Sequence, residues 1–321
     1  MRFRLPRPSD LRPMRRRSMT DHMQIVSQLV SGIKPFMPRR SLAVLGRKVP
    51  GLSGSLGRSG SLEVRLAVSE RDIRRAQRLR YRVFYEEMAA VPDAMQRMLR
   101  RDADRFDAIC DHLLVIDHDA RGRFGGRRPQ VVGTYRLLRQ DVALRHGGFY
   151  TQDEFDIAPL LARHAGSHFL ELGRSCVLEP YRTKKTVELL WHGIWAYVRH
   201  HRIDVMFGCA SLSGICPDEH ALALSFLSRN AMAEGEWSAR AAAHRHVPME
   251  RMPDALIEPK AALRMLPPLV KAYLRLGARF GDGAVIDRQF GTIDVMVILP
   301  VSAIDPRYVS HFGHEGERYA A

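Results

Sequence analysis

Glu171 and Arg174 lie inside an otherwise apolar run, Phe169-Leu-Glu-Leu-Gly-Arg-Ser-Cys-Val-Leu178, which reads as a buried strand stopped by Pro180. Ionised side chains are costly in such a run unless they are paired or have a task. One task fits a lone carboxylate: general acid–base work, in which it takes a proton from a reacting group within hydrogen-bond or one-water reach. Glu171 is the candidate for this role. The competing reading is an ion pair with Arg174. Side chains three apart on a flat strand point to opposite faces, so this pairing needs a bulge, for which Gly173 is the natural place. The next residues, Glu179-Pro-Tyr-Arg-Thr-Lys-Lys-Thr186, bring Arg182, Lys184 and Lys185 to the mouth of a helix expected from about Val187. A cationic loop entering a helix N-terminus suits a phosphate. A strand with an embedded acid, a phosphate-seeking loop and a helix together make an acyl-transfer layout.

Further charged residues fall in places that need explaining. Arg136 sits within the apolar strand Val131-Val-Gly-Thr-Tyr-Arg-Leu-Leu138, which favours a site over the surface. Asp104 and Asp107 are spaced i, i+3, with Asp111 four further on. Each is either part of a binding cluster or a helix cap and surface charge, and the second reading weighs most for Asp111. Arg80 and Arg82 lie on an amphipathic helix, where a solvated face is the simpler account of Arg82. The four cysteines, Cys110, Cys176, Cys209 and Cys216, form no C-x-x-C, and no histidine stands at zinc-finger spacing from a pair. They are expected to be reduced and structural, and no metal site is expected. Trp191 and Trp195, four apart on one helix, are expected in the core. Gly281-Asp-Gly283 reads as a turn, and no histidine is assigned chemistry.

The elements that must position these residues follow from periodicity. A strand at 62–68 leads to a helix opened by Ser69 or Glu70, with Ile73, Ala76, Leu79 and Val83 on one face. Strands at 112–117 and 131–138 form a hairpin. The 169–178 strand, its helix from about 187 to 200, a strand at 204–209, a helix to about Met232, a Pro-started helix at 266–277 and a last strand at 292–299 complete the pattern. This order describes an α/β (α+β) fold with a mixed central sheet flanked by helices and a C-terminal extension of helix and strand. No apolar run approaches the roughly 20 residues that span a bilayer.

The formal net charge is +15, and residues 1–60 hold 13 Lys and Arg against 2 Asp, so they account for +11 of it. They make a basic arm ending in Gly51-Leu-Ser-Gly-Ser-Leu-Gly-Arg-Ser-Gly60, expected to be a flexible linker, with the catalytic domain over 61–321. Ile25, Val26, Leu29, Val30 and Ile33 recur at helical spacing beside Arg15, Arg16 and Arg17, as in a basic amphipathic segment lying on an anionic membrane. A disordered solvated tail is the equal alternative. The arm interleaves few aromatic residues with its charges and no zinc-finger motif follows, so nucleic acid is not an expected partner.

Four segments in order, Leu79-Arg-Tyr-Arg-Val-Phe84, Asp104-Arg-Phe-Asp-Ala-Ile-Cys-Asp111, Gly133-Thr-Tyr-Arg-Leu-Leu138 and Leu170-Glu-Leu-Gly-Arg-Ser-Cys-Val177, resemble the GNAT acyltransferase superfamily. They are closest to its branch of acyl-homoserine-lactone synthases and ornithine lipid N-acyltransferases. Tyr181-Arg-Thr-Lys-Lys-Thr-Val-Glu-Leu-Leu-Trp191 and the run from Leu266 to Tyr308 are similar to the ornithine lipid enzymes. The resemblance implies transfer of a 3-hydroxyacyl chain from acyl carrier protein to the α-amine of L-ornithine, giving lyso-ornithine lipid. It also implies a cytoplasmic enzyme, peripheral at the inner membrane. The acyl-phosphopantetheine is then a substrate, and no further cofactor is implied. Glu171, Arg174 and Arg80 carry over as catalytic residues, Arg80 in an ion network with Asp104 or Asp107. Asp104, Asp107 and Arg136 carry over as binders of the acceptor, whose δ-ammonium needs an acid and whose carboxylate needs a base. Val177, Tyr181, Arg182, Lys184 and Lys185 would meet the phosphopantetheine arm. The loop at 181–186 lacks the glycines with which acetyl-CoA-using members cradle a pyrophosphate, and its cations suit a single phosphodiester and an acidic carrier protein. The alternatives are a lactone synthase, an N-acyltransferase for glycine, lysine or glutamine, and a non-catalytic basic adaptor on the same fold.

Overall fold

The computed structural model describes residues 51–88, 90–122 and 125–305. The amphipathic segment expected within the basic arm lies outside the described residues. Gly51–Gly60, expected as a linker, contains strand β1 (Ser55–Ser59), antiparallel to β2 (Leu62–Leu66). The sheet therefore begins ahead of the expected boundary at Ser61.

Helix α1 (Glu70–Tyr81) starts at Ser69, whose hydroxyl accepts the Asp72 amide at 3.2 Å, and it has acids in its first turn and arginines in its last. It widens into a π-helical turn, Arg82–Glu87, a distortion that tends to accompany functional sites. Helix α2 (Ala94–Leu99) and a 3-10 turn at Arg105–Ala108 lead to the hairpin β3 (Asp111–Asp117) and β4 (Gln130–Arg139). After α3 (Gln140–Arg145), the 3-10 turn Tyr150–Asp153, β5 (Phe155–Asp156) and α4 (Ala158–Arg163) comes β6 (Phe169–Val177). Helix α5 (Lys184–His201) begins three residues before the expected Val187 because Thr183 caps it, its hydroxyl accepting the Thr186 amide at 3.3 Å. Lys184 and Lys185 thus belong to its first turn. The remaining elements are β7 (Val205–Ser213), α6 (Ala221–Ala231), β8 (Arg240–Ala241), α7 (Pro259–Met265), α8 (Pro268–Arg275), β9 (Arg279–Asp287) and β10 (Thr292–Pro300).

The strands form one sheet in the order β1-β2-β3-β4-β6-β7-β10-β9-β8-β5. Its neighbours are antiparallel except β6 with β7 and β8 with β9. In β6, β7 and β10 neighbouring residues alternate between two hydrophobic clusters. Leu170, Met206 and Val297 join one with Trp191 and Trp195 of α5. Phe169, Val205, Phe207 and Ile298 join the other with Phe149 and Phe155. The strand β9 corrects the turn expected at Gly281-Asp-Gly283. A Cβ at Gly281 would lie 3.1 Å from the Ala239 carbonyl oxygen, and Gly283 has φ +84°, so these glycines serve a crowded, bulged strand.

Candidate active site

The parallel pairing of β6 and β7 lasts only three residues: Phe169 with Val205, Leu170 with Met206, Glu171 with Phe207. Beyond it each strand keeps only its other neighbour, β4 or β10, and the two part into a wedge. At the point of parting β7 carries Gly208, where a Cβ would lie 2.3 Å from the Leu172 carbonyl oxygen. Glu171 is the last paired residue before the wedge and is buried, 5% exposed. Its Oε1 accepts the Thr151 amide and hydroxyl, both at 2.6 Å, and its Oε2 accepts the Tyr150 amide at 3.1 Å. A carboxylate can accept about four hydrogen bonds, so one place remains. Burial pushes the Glu171 carboxyl above its ordinary pKa, opposed by these same hydrogen bonds.

Arg174 does not pair with Glu171. The bulge expected at Gly173 falls one residue on. Arg136 faces Gly173, Thr134 faces Cys176, and Arg174 takes the left-handed conformation with φ +49°. The bulge restores Arg174 to the side of Glu171, and both meet Tyr150: the guanidinium lies 4.8 Å from the ring of Tyr150 and 4.3 Å from that of Phe290. Its ion pairs, with Asp102 and Asp104, are both long at 3.5 Å.

Arg80 is wholly buried. Its Nε donates to Asp102 at 2.7 Å and its Nη2 to both oxygens of Asp107 at 2.8 Å. A substrate does not reach it there, so its place is beneath the site, against the expectation of a catalytic contact. Arg136 donates to both oxygens of Asp104 at 2.6 Å. Burial pushes the Asp107 carboxyl up, but the charges of Arg80, His112 and Arg136 overcome it and hold the group well below the carboxylate range. Asp104 is likewise lowered, burial being outweighed by Arg136 and Arg174. Asp104 and Asp107 were expected to receive an ammonium group, yet both are already neutralised by arginines. The third acid, Asp102, escaped the sequence reading although it lies two residues before Asp104. Tyr85 of the π-turn donates to it at 3.1 Å.

The expected donor-binding residues form a second group where β6 meets α5. Val177 and Tyr181 pack against the core, and the Tyr181 hydroxyl donates to Asp117 at 2.8 Å. Arg182 donates to the Val177 carbonyl at 3.0 Å and to Glu87 at 2.6 Å. Lys184 lies 3.4 Å from Glu188, and Lys185 is exposed. Glu87 also pairs with Arg82 at 3.5 Å, which links this loop to a cleft of about 350 Å³ lined by Arg75, Arg78, Arg82, Arg121 and Arg128. Sequence reading missed this cleft, whose arginines come from both ends of the β3–β4 hairpin turn, from α1 and from the start of the π-turn. It also missed a trio of buried acids, Glu154, Asp287 and Asp294, with carboxylate oxygens within 4.8 Å of one another. Among the described residues no helix is long and apolar enough to cross a membrane.

A sheet whose parallel neighbours part at a buried carboxylate, with a cationic helix entrance beside them, belongs to a known class of transferase. A family model described as an acetyltransferase (GNAT) domain matches residues 79–192, from the last turn of α1 into α5. Two curated relatives carry the name L-ornithine N(alpha)-acyltransferase. The one from Agrobacterium fabrum is 55% identical over 265 residues, 83% of this chain and 89% of the relative. The one from Rhizobium meliloti is 54% identical over 271 residues, 84% of this chain and 90% of the relative. The chain belongs to their family and is an N-acyltransferase. A more distant likeness in structure is to FeeM, an N-acyl amino acid synthase from uncultured soil microbes, at 12% identity and a TM-score of 0.42, covering 75% of this chain and 91% of that one.

Proposed function

We propose that the enzyme transfers a 3-hydroxyacyl group from the phosphopantetheine thioester of acyl carrier protein to the α-amine of L-ornithine. The names of the relatives supply the acceptor. The position of Glu171 carries the mechanism: a buried carboxylate with one acceptor place left, at the residue where β6 and β7 part. The thioester lies in the wedge. Glu171 takes a proton from the α-ammonium, directly or through a water, and the freed amine attacks the carbonyl carbon. The N–C bond forms, the C–S bond breaks, and the thiolate leaves with a proton. Arg174, gripped loosely by its aspartates and held between two rings, receives the carboxylate of the acceptor. Arg80, Arg136, Asp102, Asp104 and Asp107 hold Arg174 and the π-turn in place.

The arginine-lined cleft and the Arg182 loop favour a phosphodiester on an acidic protein as donor. Purified enzyme supplied with 3-hydroxyacyl carrier protein and L-ornithine should yield the Nα-acyl product by mass spectrometry, and the matching CoA thioester should react far more slowly. Equal use of the CoA thioester would remove the carrier-protein assignment. Absence of an ornithine product would remove the acceptor. The +11 charge of residues 1–60 supports delivery of the product to an anionic membrane face. A chain beginning at Gly51, which keeps β1, should then lose salt-sensitive cosedimentation with anionic vesicles, and unchanged cosedimentation would rule the arm out as the tether.

A further inference from the structure

The ion network beneath the site is balanced: Arg80, Arg136 and Arg174 face Asp102, Asp104 and Asp107. No acid in it is left over for a second cation. Across Tyr150 the balance is different. Glu154 follows the 3-10 turn that holds Glu171, Asp287 ends β9, and Asp294 lies in β10. Their carboxylates converge although Glu154 is 2%, Asp287 7% and Asp294 5% exposed. Asp287 accepts the amides of Gln289 at 2.8 Å and Phe290 at 3.0 Å, and Asp294 accepts the Thr292 hydroxyl at 2.9 Å. Glu154 Oε2, fully buried, has no hydrogen-bond partner among the described residues. Its other oxygen lies 3.6 Å from Arg245. Hydrogen bonding by Cys209 favours the ionised form of Glu154, and Ser211, Thr292 and the more distant charge of Arg174 favour that of Asp294, but burial outweighs them in both.

Three buried carboxylates with so little compensation repel one another, and a protein keeps such an arrangement at a cost in stability. Burial, then repulsion from Asp294, push the Glu154 carboxyl up to about 7. The trio is also joined to both ends of the site. The Glu154 amide donates to the Thr151 carbonyl at 3.0 Å. The Thr151 hydroxyl that donates to Glu171 also accepts from the Cys209 thiol at 3.7 Å. On the other side Phe290, whose amide is held by Asp287, lies under the Arg174 guanidinium.

We propose that Glu154, Asp287 and Asp294 form the pocket for the side-chain ammonium of the acceptor, and that this pocket makes the enzyme prefer a diamino acid to a neutral one. The inference rests on the ornithine reading above and adds the residues that would select it. The acceptor is then held at three points: its carboxylate at Arg174, its α-amine at Glu171 and its terminal ammonium at the trio. An ammonium has three donors and no acceptor, which matches three carboxylates of which one oxygen is unpartnered. The Arg245 guanidinium at the rim leaves the trio net negative, so that the pocket favours a cation over water.

The test compares L-ornithine with L-norvaline, which has the same carbon chain and no terminal amine, in wild type and in Asp294→Asn and Glu154→Gln. The readout is the ratio of kcat/KM for the two acceptors. Wild type should favour ornithine by about a hundredfold or more, and each variant should lower that ratio about tenfold or more, mainly through the KM for ornithine. An unchanged ratio in properly folded variants overturns the pocket. Thermal shift of wild-type protein keeps the test independent of the variants. L-ornithine should raise the midpoint at concentrations where L-norvaline does not, and equal shifts overturn the proposal. Activity lost to EDTA on both acceptors and restored by magnesium or manganese would make the trio a metal site and also overturn it. The two readings fail separately. Wild type that does not acylate ornithine removes the functional reading, and the thermal shift then still decides the pocket. Wild type that acylates ornithine, with variants that keep its preference, removes the pocket alone.

Discussion

Replacing Arg80 with methionine tests whether the buried network is held together by charge. The side chain is wholly buried, and methionine fills much of its volume without its charge. The change leaves Asp102 and Asp107, 1% and 5% exposed, without their main cation. Removing one partner from a buried ion pair costs about 3–5 kcal/mol, so the urea midpoint at pH 7.5 should fall with little change in slope. The pH dependence is the sharper measure. In wild type the Asp107 carboxyl is depressed in the folded state, so its contribution is present above the unfolded carboxylate pKa of about 4 and is lost only as pH falls through the lower folded value. In the variant burial dominates, and the folded pKa rises above the unfolded one. The folded variant then takes up a proton as pH falls from 7 towards 5, and its stability rises over a range in which Asp107 contributes no change to the wild type. The gap between the two should be widest near pH 7.5 and narrow by pH 5.5. A gap below about 1 kcal/mol, or one equal at both pH values, would refute the view that paired charge holds this network.

Glu171→Gln should lower kcat on the order of a hundredfold or more with carrier-protein affinity nearly unchanged, and a near-normal single-turnover rate would remove Glu171 from proton transfer. Reversing Arg182, Lys184 and Lys185 to glutamate should weaken carrier-protein binding and flatten its salt dependence, as read by titration at several ionic strengths; unchanged affinity throughout would place docking elsewhere. Gly208→Ala should lower stability by about 2 kcal/mol or more and raise the KM for the acyl donor, because the new methyl would meet the Leu172 carbonyl where the wedge opens. Wild-type values for both would show that this close approach relaxes without consequence.

The strands and helices that carry one-sided or continuous apolar patterns were legible: β2, β3, β4, β6, α5, β7 and β10 stand close to their expected spans. The elements that sequence reading missed lack such a pattern. β1 is Ser-Leu-Gly-Arg-Ser, with only Gly57 buried and Leu56 its one large apolar side chain, and looks like a linker until β2 and α5 give it partners. β9 contains Gly281 and Gly283, which signal a turn locally and are needed here because Ala239 and His246 press against them. Except for Asp102, the charged residues of the network could be picked out singly because each interrupts an apolar run or recurs at short spacing. Their pairing was legible only in part: the resemblance put Arg80 in an ion network with Asp104 or Asp107, and Arg80 takes Asp107 together with Asp102 while Asp104 goes to Arg136. The acidic trio was out of reach for a plainer reason. Glu154 is separated by more than a hundred residues from Asp287 and Asp294, and only the crossing of β10 into the middle of the sheet brings them together.

The bulge in β6 also fixes what this strand tolerates genetically. Side chains alternate along a strand, and the extra residue at Arg174 resets that alternation once. An in-frame loss of the Gly173 codon would therefore do more than remove a residue without a side chain. It would take out the extra residue and straighten the strand, leaving Arg174, Ser175, Cys176 and Val177 on the faces they now occupy, but it would cost Arg174 the left-handed backbone from which its guanidinium reaches the rings of Tyr150 and Phe290. In a mutational scan, loss of the Gly173 codon should therefore leave the protein folded and act on activity through Arg174, whereas a codon inserted between Ser175 and Cys176 should turn Cys176 and Val177 over and destabilise the strand.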